Sequence, residues 1–230
     1  DQSIVSAAIS HDECATCLCY REIARSTLIY AIAYPWMVEL PDNRVLTHLW
    51  FGSYTLPPFS PNWLLETSIL DDFSKSLDQW SVLVSEGVAL VDHPDNPGRK
   101  IMSLRKTNAE NAATAVRNFP FGVRGRLDLK LRLQTDFQGT RVCLSDCYWL
   151  PPIERKGRFG ILIEPNGRLW TTGGDGNDVL TDLTVPMGRW CELSLIWDCT
   201  LRNCKVLLDG QWAANAWQLL APDLAEYPPN

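Results

Sequence analysis

Gly125-Arg126-Leu127-Asp128-Leu129-Lys130-Leu131-Arg132-Leu133-Gln134 decides the fold class. Leucine stands at every second position with a polar residue between, the period of a strand that buries one face. A helix would split the same leucines between opposite sides and give no single apolar stripe. Working outward, Cys191-Glu192-Leu193-Ser194-Leu195-Ile196-Trp197 alternates in the same way, with Cys191, Leu193, Leu195 and Trp197 on one face. Phe159 to Glu164 runs into Pro165-Asn166-Gly167 and returns through Arg168-Leu169-Trp170, while Lys205-Val206-Leu207-Leu208 ends in Asp209-Gly210. Both turn sequences carry residues that accept a left-handed backbone, so both predict hairpins.

Further strands are expected at Val82 to Val84, Val88 to Val91, Lys100 to Arg105 and Ala112 to Phe119. Roughly ten short strands without a long helix predict an all-β fold, an antiparallel two-sheet β-sandwich. Nearer the N-terminus, Leu28 to Ile32 reads as a strand, and residues 36–51 read as a hairpin around Pro41-Asp42-Asn43-Arg44. Residues 1–26 lack clean periodicity and predict a short helix or irregular arm around Cys14 to Arg25. The proline-rich Leu56-Pro57-Pro58-Phe59-Ser60-Pro61 cannot lie in a central strand. It suggests two domains, a small hairpin segment over 1–66 and the sandwich over 67–230. The first is too small to bury a stable core alone and needs a neighbour, another domain or another subunit.

A chain of 230 residues, 46% of them apolar and carrying a net charge of −6, suits a globular protein and argues against nucleic acid as partner. No apolar run is long enough for a membrane-spanning helix, so membrane insertion is not expected. Asp1-Gln2-Ser3 shows no signal-peptide pattern and fits a mature terminus or an excised fragment. Eight cysteines point to an oxidising, secreted or extracellular setting. Cys199 and Cys204 flank Thr200-Leu201-Arg202-Asn203, so a hairpin would set them opposite each other for a disulfide. Cys14, Cys17 and Cys19 lack the second half of a zinc set and read as thiols or disulfides.

Gly188-Arg189-Trp190, followed by a strand and then by Val206-Leu207-Leu208-Asp209-Gly210, resembles the late strand pair of laminin-G-like and concanavalin-like sandwiches. Asp71-Asp72-Phe73 with Trp80 resembles their first strand, and the likeness extends over residues 71 to 220. It implies a jelly-roll sandwich of a kind that often binds sugar. Tyr34-Pro35-Trp36-Met37-Val38-Glu39-Leu40-Pro41-Asp42-Asn43-Arg44-Val45-Leu46 is similar to a hairpin of sialidase-like β-propellers, with Asn43 where glycine is usual. That likeness implies a propeller remnant joined to a sandwich module, the rest of the propeller being absent. No Asp-box (Ser-x-Asp-x-Gly-x-Thr-Trp) occurs, and one hairpin cannot assemble a propeller active site.

His11, His48 and His93 share no motif, and no strand bears alternate acidic residues as a glycosidase sandwich would. His48 is the one catalytic candidate, set against a plain strand histidine. Gly173-Gly174-Asp175-Gly176-Asn177-Asp178 is the metal candidate, because Asp175, Asn177 and Asp178, with Asp182 beyond, supply the oxygens calcium prefers. Of ten tryptophans most should pack, with Trp170, Trp190 and Trp197 in the core. Tyr148, Trp149 and Trp212 fall beside turns and are the candidates for stacking on a sugar. The sequence therefore predicts a carbohydrate-binding accessory module of a sialidase-like glycan-active protein, non-catalytic in this chain, with a glycan or polysaccharide as partner. The alternatives are a glycoside hydrolase or polysaccharide lyase, its site between the N-terminal segment and the sandwich, and a structural adhesion domain. A homo-oligomer or an absent propeller domain would complete the assembly.

Overall fold

The computed structural model describes residues 3–26, 35–49, 54–83, 85–107, 112–119, 122–144, 159–172, 178–201, 203–213 and 218–219. Strands dominate it, in antiparallel sheets, with one single-turn α-helix and one 3-10 turn among the described residues. The chain divides into two compact units, residues 1–121 and 122–230. The boundary expected at 66/67 lies inside the first of them.

In the first unit, β1 (Ser3–Ile9) and β2 (Leu18–Ser26) pair antiparallel. This corrects the helix or irregular arm expected there. Two register shifts, at Val5/Ser6 and Ala7/Ile9, break the alternation that would have announced the strands. A three-stranded sheet follows, β3 (Pro35–Glu39), β4 (Val45–Leu49) and β5 (Tyr54–Phe59). The turn between β3 and β4 is the expected one, with Asn43 at φ 60° and the Leu40 amide donating to the Arg44 carbonyl at 2.8 Å. Pro57 and Pro58 sit in β5 at the side of this sheet, as their missing donors require. Leu49 packs with Val5, Ile23, Ala24 and Leu56 into a small core. Helix α1 (Pro61–Leu64) starts at Ser60, whose hydroxyl accepts from the Asn62 amide, and Pro61 suits the first turn. Two further pairs complete the unit: β6 (Trp80–Leu83) with β9 (Thr114–Arg117), and β7 (Val88–Asp92) with β8 (Lys100–Leu104). The strand expected at Leu28 to Ile32 lies outside the described residues.

The second unit is the two-sheet sandwich. Its first sheet runs β10 (Arg124–Arg132), β15 (Trp190–Asp198), β16 (Asn203–Leu208), β17 (Gln211–Trp212), with β18 (Gln218–Leu219) also on β16. Between β10 and β15 the chain builds the second sheet, a meander of β11 (Thr140–Leu144), β12 (Phe159–Ile163), β13 (Arg168–Thr172) and β14 (Asp178–Thr184). Each sheet buries one face. Leu193, Leu195, Cys204 and Val206 are inaccessible on one, and Phe159, Ile161, Ile163 and Leu169 on the other. Leu193 and Leu195 are among the alternate positions read from the sequence. Trp197 is core as expected, but Trp170 and Trp190 are only half-buried. Trp170 pairs with half-buried Leu162 and Trp190 with Arg132, so strand parity turns both away from the packed face.

The hairpin between β15 and β16 corrects a second expectation. Asp198 pairs with Asn203, so Cys204 stands opposite Trp197 and Cys199 falls in the turn. Both cysteines are buried, and neither forms the expected disulfide. Asp198 sets this register: its Oδ1 accepts from the Thr200 amide at 2.9 Å and the Leu201 amide at 3.0 Å, which closes the turn one residue earlier.

Candidate ligand-binding site

Register alone shows which side chains share the outer face of the first sandwich sheet. Arg124, Asp198 and Asn203 form one cross-strand row, Arg126, Ile196 and Lys205 the next, and Asp128, Ser194, Leu207 and Trp212 the third. Trp212 is placed by the turn before it. Asp209 and Gly210 take φ of 50° and 79°, the tight two-residue connection in which a left-handed backbone is required at both positions. Asp209 also anchors that turn to β15, accepting from the Glu192 amide at 2.8 Å and from Arg189 at 3.0 Å.

The result is an open depression of about 370 Å³ whose walls include Trp212, Lys205, Ile196, Asn203, Asp198 and Arg124. Trp212 is 52% exposed, so its indole is available to a ligand. The Lys205 ammonium lies 5.3 Å from the ring centroid, within cation–π range. Arg124 is solvent-facing and held by Asp198 at 2.8 Å and by the Thr200 hydroxyl at 2.8 Å. Beside this row, the two Asp128 carboxylate oxygens share the Arg126 Nε–H, at 2.8 and 2.9 Å, and Oδ1 accepts from the Ser194 hydroxyl at 2.5 Å. Burial pushes the Asp128 carboxyl up, but the Ser194 hydroxyl and the Arg126 guanidinium outweigh it and hold it below the usual range.

The arrangement offers a flat apolar ring beside cationic donors, an amide and a carboxylate. Sugar rings present matching chemistry, an apolar face bordered by hydroxyls that both donate and accept. The carboxylate in the depression is not poised for acid–base work. The Thr200 hydroxyl, opposed by burial and helped by the Leu201 amide and Arg124, lowers the Asp198 pKa. A depressed carboxyl stabilises the folded turn above its unfolded value, and that contribution is lost as pH falls through the folded value. The Leu201 amide resonance should therefore hold its native shift through the ordinary carboxylate range and move only at lower pH. In Asp198→Ala the turn should be loose already at neutral pH.

Tyr148, Trp149, Asp175 and Asn177 lie outside the described residues. Asp178 opens β14, with its carboxylate 3.8 Å from Arg141, and Asp182 is exposed further along the same strand. Among the described residues, no group of His, Cys, Asp and Glu side chains is arranged to hold a metal ion. His48 is exposed on β4, in the first unit, with Nδ1 3.1 Å from the Thr55 hydroxyl. Cys14 and Cys17 are exposed thiols, whereas the Cys191 thiol is pushed up to about 11, first by burial and then by Asp209. Arg124, Asp198, Asn203 and Lys205 were not singled out by sequence reading; their signal is the outward parity on three strands that end beside one exposed tryptophan.

No family model matches the chain, and no curated protein matches it. Among solved structures it is similar to a chain described as a sialidase, with a TM-score of 0.52 and 14% identity over 79% of this chain. The match covers 16% of that sialidase chain. At that identity the likeness speaks for the fold.

Proposed function

We propose that this chain is a carbohydrate-binding accessory module of a glycan-active protein, non-catalytic in itself and working outside the cell. The observation that carries the reading is the half-exposed Trp212, fixed by a tight turn at the edge of a depression with Lys205, Asn203, Asp198 and Arg124. An indole supplies contact area with little side-chain freedom to lose, and the polar rim supplies orientation. The fold likeness to a sialidase chain supports a setting in glycan chemistry. The β3–β4 hairpin would then be the remnant of a propeller, and residues 122–230 the recognition part. Calcium at Asp175, Asn177 and Asp178 belongs to the same proposal, as an ion that would fix a loop.

The test is a glycan-array screen of the intact chain, with calcium and with chelator, beside Trp212→Ala. Loss of the indole should weaken binding to the preferred glycan by at least about tenfold, the equivalent of ~1.4 kcal/mol. Lys205→Ala should weaken it less. Unchanged binding by Trp212→Ala would contradict the proposed site, and binding equal in calcium and chelator would contradict the calcium loop.

A further inference from the structure

The chain carries a net charge of −6, yet the walls of the Trp212 depression set two cations, Arg124 and Lys205, against one carboxylate, Asp198. The ion pair between Arg124 and Asp198 is lopsided as well. The Asp198 side chain is 18% exposed and the Arg124 side chain 66%, so the positive partner is the one presented to solvent. Asp198 turns its oxygens inward: Oδ1 accepts from the Thr200 and Leu201 amides and the Thr200 hydroxyl, and Oδ2 from Arg124 Nε.

Arg124 is engaged only in part. Its Nε donates to Asp198 and its Nη2 to the Thr200 hydroxyl, both at 2.8 Å. A guanidinium has five N–H groups, so three are left over, at the Nη1–Nη2 end of the fork. The two bonds fix the plane of the group, and its exposure opens that end to water. A planar fork held in this way takes a carboxylate or a sulfate through two parallel charge-assisted bonds. A neutral sugar offers it only hydroxyls, which bind a cation more weakly.

Register separates this fork from the indole. Arg124 stands in the row of Asp198 and Asn203, whereas Trp212 pairs with Leu207, three strands across and four residues along. With strands ~4.8 Å apart and a rise of ~3.4 Å per residue, the two Cα atoms lie about 20 Å apart. Side chains stand nearly upright on a strand, and the Arg124 guanidinium reaches to the turn at Thr200, away from Trp212. One pyranose ring does not span that distance.

We infer that the depression selects an acidic oligosaccharide of at least two residues, one stacked on Trp212 beside Lys205 and another presenting a carboxylate or sulfate to the Arg124 fork. This rests on glycan binding at the same site, and extends it to the charge of the ligand, its least length and the residue that reads the charge.

The test is an array of uronic acid and sulfated oligosaccharides of increasing length, each beside its carboxyl-reduced or desulfated counterpart, probed with the intact chain. From the disaccharide upward, acidic members should bind at least about tenfold more tightly than their neutral counterparts. A preference confined to the uronic acids identifies a carboxylate as the group on Arg124, and one confined to the sulfated set identifies a sulfate. Arg124→Gln should bring acidic and neutral members level. Arg124→Lys keeps the charge without the fork and should retain only part of the preference. Trp212→Ala should weaken both sets alike. Equal binding of acidic and neutral members, or a preference that persists in Arg124→Gln, would overturn the inference and leave glycan binding standing. Full preference for a single acidic sugar would overturn the two-residue placement. An array on which nothing binds would overturn glycan binding itself.

Discussion

Replacing Trp197 with alanine should destabilise the second unit by about 3–5 kcal/mol, read as a lower midpoint of urea unfolding. Trp197 is 6% exposed on the packed face of β15, and its indole N–H donates to the Gly122 carbonyl at 2.9 Å. The size of the effect follows from what stands opposite. In the β10–β15 register Trp197 faces Gly125, and a Cβ placed there would lie 2.0 Å from the indole ring. The ring therefore fills the space that a side chain at 125 would take. No neighbour on β10 can move in to close the cavity, so the full penalty remains. The reverse change, Gly125→Val, overpacks the same space and should cost about 1–3 kcal/mol. The two together should cost less than the sum of the separate losses, because each relieves the other's fault. Additive losses would mean that the ring does not occupy that space.

Arg21→Met should destabilise the first unit by about 3 kcal/mol, the scale set by charged hydrogen bonds left unmade. Arg21 is 3% exposed on β2, and its guanidinium carbon lies 3.6 Å from the centroid of the Trp63 ring. It donates to the Trp63 carbonyl at 2.5 Å, to Glu66 at 3.1 Å and to the Asn118 carbonyl at 3.2 Å. Burial lowers its pKa, with Glu66 opposing, but a guanidinium stays charged throughout the accessible pH range. The carbonyl contacts outweigh the ion pair. Glu66 is 44% exposed and can return to water, so Glu66→Gln should cost under about 1 kcal/mol. A larger loss for Glu66→Gln than for Arg21→Met would contradict this order. Thermal unfolding of the two variants, followed by near-ultraviolet circular dichroism, separates them.

The same arginine explains why the unit boundary was not legible. Asn118 accepts from Arg21 through its carbonyl, and its side-chain amide donates to the Glu22 carbonyl at 2.6 Å. These bonds join β2 to the end of β9 across almost a hundred residues, and composition and proline content say nothing of them. What was legible is what repeats every second residue. The leucines of β10, the apolar positions of β15 and the turns at Gly167 and Asp209-Gly210 follow from period and backbone permissiveness alone. Bulges hid β1 and β2. One capping carboxylate, Asp198, moved a turn by one residue and separated Cys199 from Cys204. Trp212 could be read from its place after a turn, but its partners come from three strands widely spaced in sequence, united only by register.

Binding of glycan to the outer face beside Trp212 can be followed by hydrogen exchange with and without the best-binding array glycan. Added glycan should slow exchange on β16 and β17, around Asn203, Lys205 and Trp212, and leave β12 and β13 in the second sheet unchanged. Protection confined to any other surface, or no change at saturating glycan, would contradict it.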